Sequence, residues 1–181
     1  RIVKFHEKPQ NPPSTLAGIG FYILTKESQK ILFDYVENNE KLDNLGDFIS
    51  YLATKTELYG FPYKNGFWHD VGSPDSYIES MKVYMTSYVG HIEKDESVEI
   101  IEPIVLEDGS EIRGSSVIGP YVYVGKGCII EDSEINNSVL FDEVYVSKST
   151  LNKSIIDIKS SISNLKLNGT SVGEYSKLNK K

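Results

Sequence analysis

From residue 112 onward, aliphatic side chains recur at a spacing that fits neither a helix nor an ordinary strand: Ile112, Ile118, Val124, Ile130, Ile135, Leu140, Val146, Leu151, Ile156, Ile162, Leu167 and Val172. Beyond Ile130 the intervals settle into 5+5+6, a 16-residue repeat that aligns Ile130 with Val146 and Ile162, and Ile135 with Leu151 and Leu167. Asn136, Asn152 and Asn168 follow the second column, with Ser138, Ser154 and Thr170 two positions later. Helical packing demands a period near 3.6 and a flat strand a period of 2. Three short faces per turn, each sending one aliphatic side chain inward and ending in a small or polar corner, satisfy this spacing. The repeat therefore predicts a parallel β-helix in which each coil hydrogen-bonds the next, about 4.8 Å away. The alternative, an antiparallel β-sandwich, does not hold one register over so many segments. The Asn-x-Ser/Thr triplets are products of the repeat and are not read as glycosylation sites. Cys128, between Gly127 and Ile129 on the same path, reads as a small core hydrophobe.

The first half follows other rules, and the change falls near Tyr88–Ser97. Lys26–Asn39 places Ile31, Leu32, Tyr35 and Val36 on one side, an amphipathic helix, and Asp47–Lys55 reads as a shorter one. Ser73-Pro74 is an N-cap followed by proline at the first helical position, and Tyr77, Ile78, Met81, Tyr84, Met85 and Tyr88 form one face of a third helix. Between them Arg1–Phe5, Leu16–Leu24, Glu57–Tyr63 and Gly66–His69 read as strands. That alternation is an α/β pattern.

Composition removes several function classes. In 181 residues, 26 acidic against 19 basic side chains give a net charge of −7, with arginine only at Arg1 and Arg113, so a phosphate-tracking nucleic-acid surface is disfavoured. No apolar run approaches the roughly 18 residues of a membrane span. One cysteine excludes an internal disulfide and a multi-cysteine metal site, and a reducing, cytoplasmic setting is expected. The sequence opens on Arg1 with no signal pattern and reads as cut from a longer one.

Two segments carry candidate chemistry: Glu7-Lys8-Pro9 with Ser14 and Ala17–Tyr22 behind it, and Phe67-Trp68-His69-Asp70-Val71-Gly72-Ser73-Pro74. If Gly66–His69 is a strand, Trp68 and Asp70 point to one side, and Asp70 lies at a carboxyl strand end, where open α/β sheets build ligand crevices. A carboxylate there suits Mg²⁺, which takes one or two carboxylates plus phosphate oxygens. A turn or helix-capping Asp is the competing reading of Asp70, and a solvated strand end that of Glu7-Lys8.

These residues, with Leu45-Gly46-Asp47-Phe48-Ile49 and Tyr59-Gly60-Phe61, resemble the sugar-1-phosphate nucleotidyltransferases. The spaced Pro, Ser, Ala and Gly after Glu7-Lys8 look closest to glucose-1-phosphate thymidylyl- and uridylyltransferases. The Phe-Trp-x-Asp-Val-Gly run and the 5+5+6 repeat look closer to mannose-1-phosphate guanylyltransferases. The resemblance implies the C-terminal half of a Rossmann-like nucleotidyltransferase domain over 1–96, followed by a left-handed parallel β-helix over 97–181. It also implies roles: Glu7 for sugar hydroxyls, Lys8 for the sugar phosphate, Gly18 as a sugar contact, Trp68 beside the sugar pocket, and Asp70 as ligand of a catalytic Mg²⁺. The substrates implied are a hexose 1-phosphate and a nucleoside triphosphate. The family's Gly-rich nucleotide loop, with its Arg and Lys, has no counterpart among residues 1–90, so the chain is expected to be inactive alone. Two other functions compete. A β-helix acyltransferase draws its base from a histidine in or near the coils, whereas His6, His69 and His91 all precede these repeats. The other is a non-catalytic oligomerisation or regulatory module. The coils are expected to assemble the chain into a homo-oligomer, a dimer or trimer held through 100–177, with Lys177–Lys181 too short and charged to cover the last one.

Overall fold

Burial follows the repeat: Ile112, Ile118, Val124, Ile130, Ile135, Leu140, Val146, Leu151, Ile156 and Ile162 are all fully buried in one continuous cluster. The structure, a computed structural model, describes residues 1–40 and 42–180. Its chain divides into two compact units, 1–68 and 69–181.

In the second unit the coils stack as a parallel β-helix with three faces. The first face holds strands Tyr88–Val89, Ile104–Leu106, Val122–Val124, Ser138–Leu140, Ile155–Ile156 and Ser171–Val172. The second holds Glu93–Lys94, Glu111–Arg113, Ile129–Glu131, Tyr145–Ser147, Ser161–Ser163 and Lys177–Asn179. The third holds Glu99–Ile100, Val117–Ile118, Glu134–Asn136, Thr150–Asn152 and Lys166–Asn168. The predicted columns are ladder partners: Val146 lies opposite Ile130 and Ile162, and Leu151 opposite Ile135 and Leu167.

The corners explain why the intervals are 5, 5 and 6. One residue per corner turns through a left-handed backbone, Asp132, Asn137 and Glu143 in one coil and Lys148, Lys153 and Lys159 in the next, with φ from 43° to 59°. The regular spacing of serines has a second cause, since two of the corners run a hydroxyl ladder along the helix axis. Ser133 N–H donates to Ser116 Oγ, Ser149 N–H to Ser133 Oγ and Leu165 N–H to Ser149 Oγ, at 3.1–3.2 Å. Ser154 N–H and Thr170 N–H do the same toward Ser138 and Ser154. Cys128 stands at the third corner, where its thiol donates to Phe141 O at 3.0 Å, as Ser110 does to Gly125 O and Ser160 to Gly173 O. Burial pushes that thiol up to about 11. It is the small core residue that the sequence indicated.

The helices form close to their predicted places. α1 spans Lys26–Asn38, capped by Thr25, α2 spans Leu45–Lys55, and α3 spans Pro74–Tyr84 with a capping box between Ser73 and Ser76. α3 stops four residues before Tyr88 because Tyr88–Val89 pair with Val105–Leu106 and open the first coil. The tail differs too: Lys177–Asn179 is a strand paired with Ser161–Ser163, and only Lys181 lies outside the described residues. Pairing with the coil below outweighs its charge.

In the first unit, Phe48, Ile49 and Leu52 of α2 are buried against Ile31, Leu32 and Tyr35 of α1, together with Phe5, Tyr22, Leu24 and Leu58. The four β-like segments form no ladder among the described residues beyond the antiparallel bridge of Ile2 with Leu58. Leu16, Phe21, Ile23 and Phe61 are exposed. A strand is stable only beside a partner, and two-stranded pairing is marginal in water. These segments carry the side chains of buried strands without the neighbours that would bury them.

Candidate functional site

Glu7 and Lys8 follow the segment that docks on α2. Ser50, one α-helical turn after Gly46, donates its hydroxyl to Phe5 O at 3.2 Å and to Gly46 O at 2.9 Å, and so ties that segment to the helix start. Two residues on, the Glu7 carboxylate lies against Gly46 in the first turn of α2, in space that any side chain at position 46 would occupy. The Asn44 side chain makes no cap bond there, and an anion at a helix N-terminus is favoured by the unpaired N–H groups and the helix dipole. Glu7 is thus held by packing, and its side chain is three-quarters buried.

Lys8 is the opposite case. Its backbone sits at φ 41°, a region that L-residues adopt at a cost, and its side chain is 81 % exposed. Its ammonium lies 3.9 Å from the Glu7 carboxylate, and an exposed pair at that distance is worth about 0–1 kcal/mol. Little holds the ammonium back from a phosphate. Gly18 packs close to Phe5 and Tyr22: a Cβ at this position would lie 3.2 Å from the Phe5 ring and 3.4 Å from the Tyr22 hydroxyl. Glu7, Lys8 and Gly18 therefore all stand on, or next to, the Phe5 segment.

Trp68 is half-exposed at the end of the first unit, and Asp70 is exposed in the second. Gly66–His69 is not a strand, so the shared strand face expected for Trp68 and Asp70 does not exist here. The reason is the one given above: without a lateral partner the segment has no ladder to fix its pleat. His69 instead stacks edge-on with Tyr84 of α3, ring centres 5.8 Å apart. Among the described residues Asp70 makes no hydrogen bond or ion pair, and no cluster of three or more His, Cys, Asp or Glu is placed to hold a metal. One free carboxylate fits a Mg²⁺ ion that takes most of its ligands from phosphates and water. Gly46 is the residue that sequence reasoning passed over. Its signal was a glycine directly before the predicted helix Asp47–Lys55, a position that the observed α2 takes into its first turn.

A further cavity of about 310 Å³ lies within the second unit, lined by Tyr77 and Met81 of α3 and by Tyr123, Val139 and Phe141 of the first face. Val139 points outward from the coils yet is buried. Tyr123 has its hydroxyl raised above the usual phenol range, by burial first and then by Glu107 and Asp142. None of the candidate residues lines this cavity.

Residues 1–87 match the model of the nucleotidyl transferase family, and residues 100–181 match that of the GMPPB C-terminal domain. The glucose-1-phosphate adenylyltransferase of Acetivibrio thermocellus is 34 % identical over 158 residues, which cover 82 % of this chain and 35 % of that protein. The enzyme of the same name from Thermosipho africanus is 29 % identical over 161 residues, 84 % of this chain and 37 % of the relative. The chain thus spans little more than a third of these relatives' length. Among solved structures, a perosamine N-acetyltransferase variant from Caulobacter crescentus superposes with a TM-score of 0.48 and 17 % identity over 51 % of this chain and 49 % of that one, a likeness that carries no functional weight. The chain thus joins part of a nucleotidyl transferase domain, over residues 1–87, to a β-helix of the GMPPB C-terminal type, over residues 100–181.

Proposed function

We propose that this chain supplies the sugar-phosphate side of a reaction in which a hexose 1-phosphate and a nucleoside triphosphate give a nucleotide sugar and pyrophosphate. The observation that carries this reading is the pairing of a packed carboxylate with a loosely held ammonium at Glu7-Lys8. A phosphate oxygen of the sugar phosphate attacks the α-phosphorus, and the bond to the leaving pyrophosphate breaks, with no protein nucleophile. Catalysis then consists of positioning and charge neutralisation. Glu7, fixed against α2, accepts hydrogen bonds from sugar hydroxyls. Lys8 swings from Glu7 to the sugar phosphate and offsets its charge. Gly18, packed against Phe5 and Tyr22, offers bare backbone as a contact for the sugar, and Trp68 offers an apolar wall. Asp70 is the residue that would hold Mg²⁺, whose contribution when bound is to neutralise the triphosphate oxygens. No Gly-rich loop for a triphosphate is present in residues 1–90, so the chain alone lacks the nucleotide side.

The test is pyrophosphate release from glucose or mannose 1-phosphate with each nucleoside triphosphate. The purified chain should give none. A chimera joining the nucleotide-binding part of the Acetivibrio thermocellus relative to this chain should turn over. In that chimera Lys8→Ala should raise KM for the sugar phosphate about ten- to a hundredfold, the loss of one charge-assisted contact, whereas Asp70→Asn should lower kcat. Turnover by the chain alone, or both variants at wild-type rates, overturns the reading.

A further inference from the structure

Ser50 stands within α2 beside residues that serve the core: Phe48, Ile49 and Leu52 are buried, whereas Ser50 is only partly so. On propensity a serine in a helix interior is worse than alanine. Its bond to Gly46 O adds little, because a helix already uses that carbonyl, four residues back, for the main-chain N–H. The bond to Phe5 O is of another kind. It joins α2 to a segment forty-five residues away in sequence, and Phe5 O has no backbone donor among the described residues.

That bond stands at a boundary. Before it the segment is held by the Ile2–Leu58 bridge, with Ile2 N–H donating to Leu58 O at 2.7 Å, and by the Phe5 side chain packed on the α2 cluster. Beyond it Glu7 is partly buried, and residues 8–21 are all exposed. The Phe5 carbonyl is therefore the last main-chain point tied to the fold before the Glu7 carboxylate, two residues on. Gly46 makes the space for that carboxylate, and the tie at Phe5 sets how the chain enters it. Lys8 depends on the same entry, since it follows Glu7 directly and turns the chain through φ 41°.

We propose that Ser50 is a positioning residue for the sugar-phosphate site, acting through Glu7. Its hydroxyl holds the Phe5–Glu7 main chain on the first turn of α2, so that the carboxylate meets the sugar hydroxyls while the neighbouring Lys8 ammonium meets the phosphate. The inference rests on the function proposed above for Glu7 and Lys8. It implies a loss confined to the sugar phosphate, as when a binding group is displaced while its chemistry is kept.

The chimeric enzyme described above tests this by kinetics. Ser50→Ala should raise KM for glucose or mannose 1-phosphate about tenfold and leave kcat and KM for the nucleoside triphosphate within about twofold. Ser50→Thr keeps the hydroxyl and should stay within about threefold of the parent. Alanine favours α2, so folding is not at stake, and a melting curve checks it. Glu7→Gln supplies the reference, and in that background Ser50→Ala should add less than about twofold, because residues that act through one another are not additive. If Glu7→Gln raises KM while Ser50→Ala does not, or if the two effects multiply, Ser50 has no positioning role although the site stands. If neither moves KM, the role proposed for Glu7 falls and this inference with it. The purified chain gives a readout that needs no turnover: the ¹⁵N–¹H heteronuclear NOE of the Glu7 and Lys8 amides should drop in Ser50→Ala while that of α2 holds, and unaltered values overturn the proposal.

Discussion

Ser133→Ala isolates what the hydroxyl ladder contributes to the β-helix. Ser133 is 3 % exposed and Ser149, one coil later, is 4 % exposed. The Ser133 hydroxyl donates to Glu131 O at 2.6 Å and is the acceptor of the Ser149 N–H at 3.1 Å. Alanine fills almost the same space but leaves that N–H without an acceptor where water does not reach. An orphaned buried donor costs about 1–3 kcal/mol, and this one belongs in the upper half of that range because both residues are enclosed. Ser154→Ala removes the same chemistry at a less enclosed corner. There the N–H of Thr170 lies 3.4 Å from the hydroxyl and Thr170 is only partly buried, so water replaces much of what is lost and about 1 kcal/mol is expected. Urea unfolding followed by circular dichroism gives the two costs. Hydrogen exchange should show Ser149 N–H losing protection in the first variant while amides two coils away keep theirs, since a coil contacts only its neighbours. If Ser133→Ala costs no more than Ser154→Ala, the ladder is geometry without energetic consequence.

Gly46→Ala places a Cβ where the Glu7 carboxylate lies. In the chimeric enzyme it should raise KM for the sugar phosphate about tenfold, while helix propensity alone makes α2 about as stable or more so; steady-state kinetics beside a melting curve separate the two, and an unchanged KM denies Gly46 its positioning role. Cys128 should resist Ellman's reagent in the native chain at pH 8 and react fully in urea, because a thiol near 11 is only about one part in a thousand thiolate at that pH. The same group makes stability fall as pH rises from about 9 to about 11, since the folded thiol holds its proton more tightly than the unfolded one. Alkaline titration of the unfolding midpoint, compared with Cys128→Ser, reads that slope.

Why the coils were legible in the sequence and the first unit only partly so comes down to where the constraint resides. In the β-helix every coil repeats one local problem, so Ile130, Val146 and Ile162 had to share a column, and the corner residues had to fall between columns. The helices were legible for a similar reason, since caps such as Ser73 and one-sided apolar spacing are properties of a single segment. The strands of the first unit were not, because a strand is settled by its neighbour, and Phe21 and Phe61 look alike in sequence whether a partner strand covers them or not. The candidate site divides along the same line. Glu7 and Lys8 were visible as a motif because both stand on one segment. The placement of Trp68 and Asp70 depended on a strand whose partner is absent from these residues, and that part of the reading failed. Gly46 was hidden because its meaning is a contact thirty-nine residues away: only the folded chain shows that its missing side chain is the space that Glu7 fills.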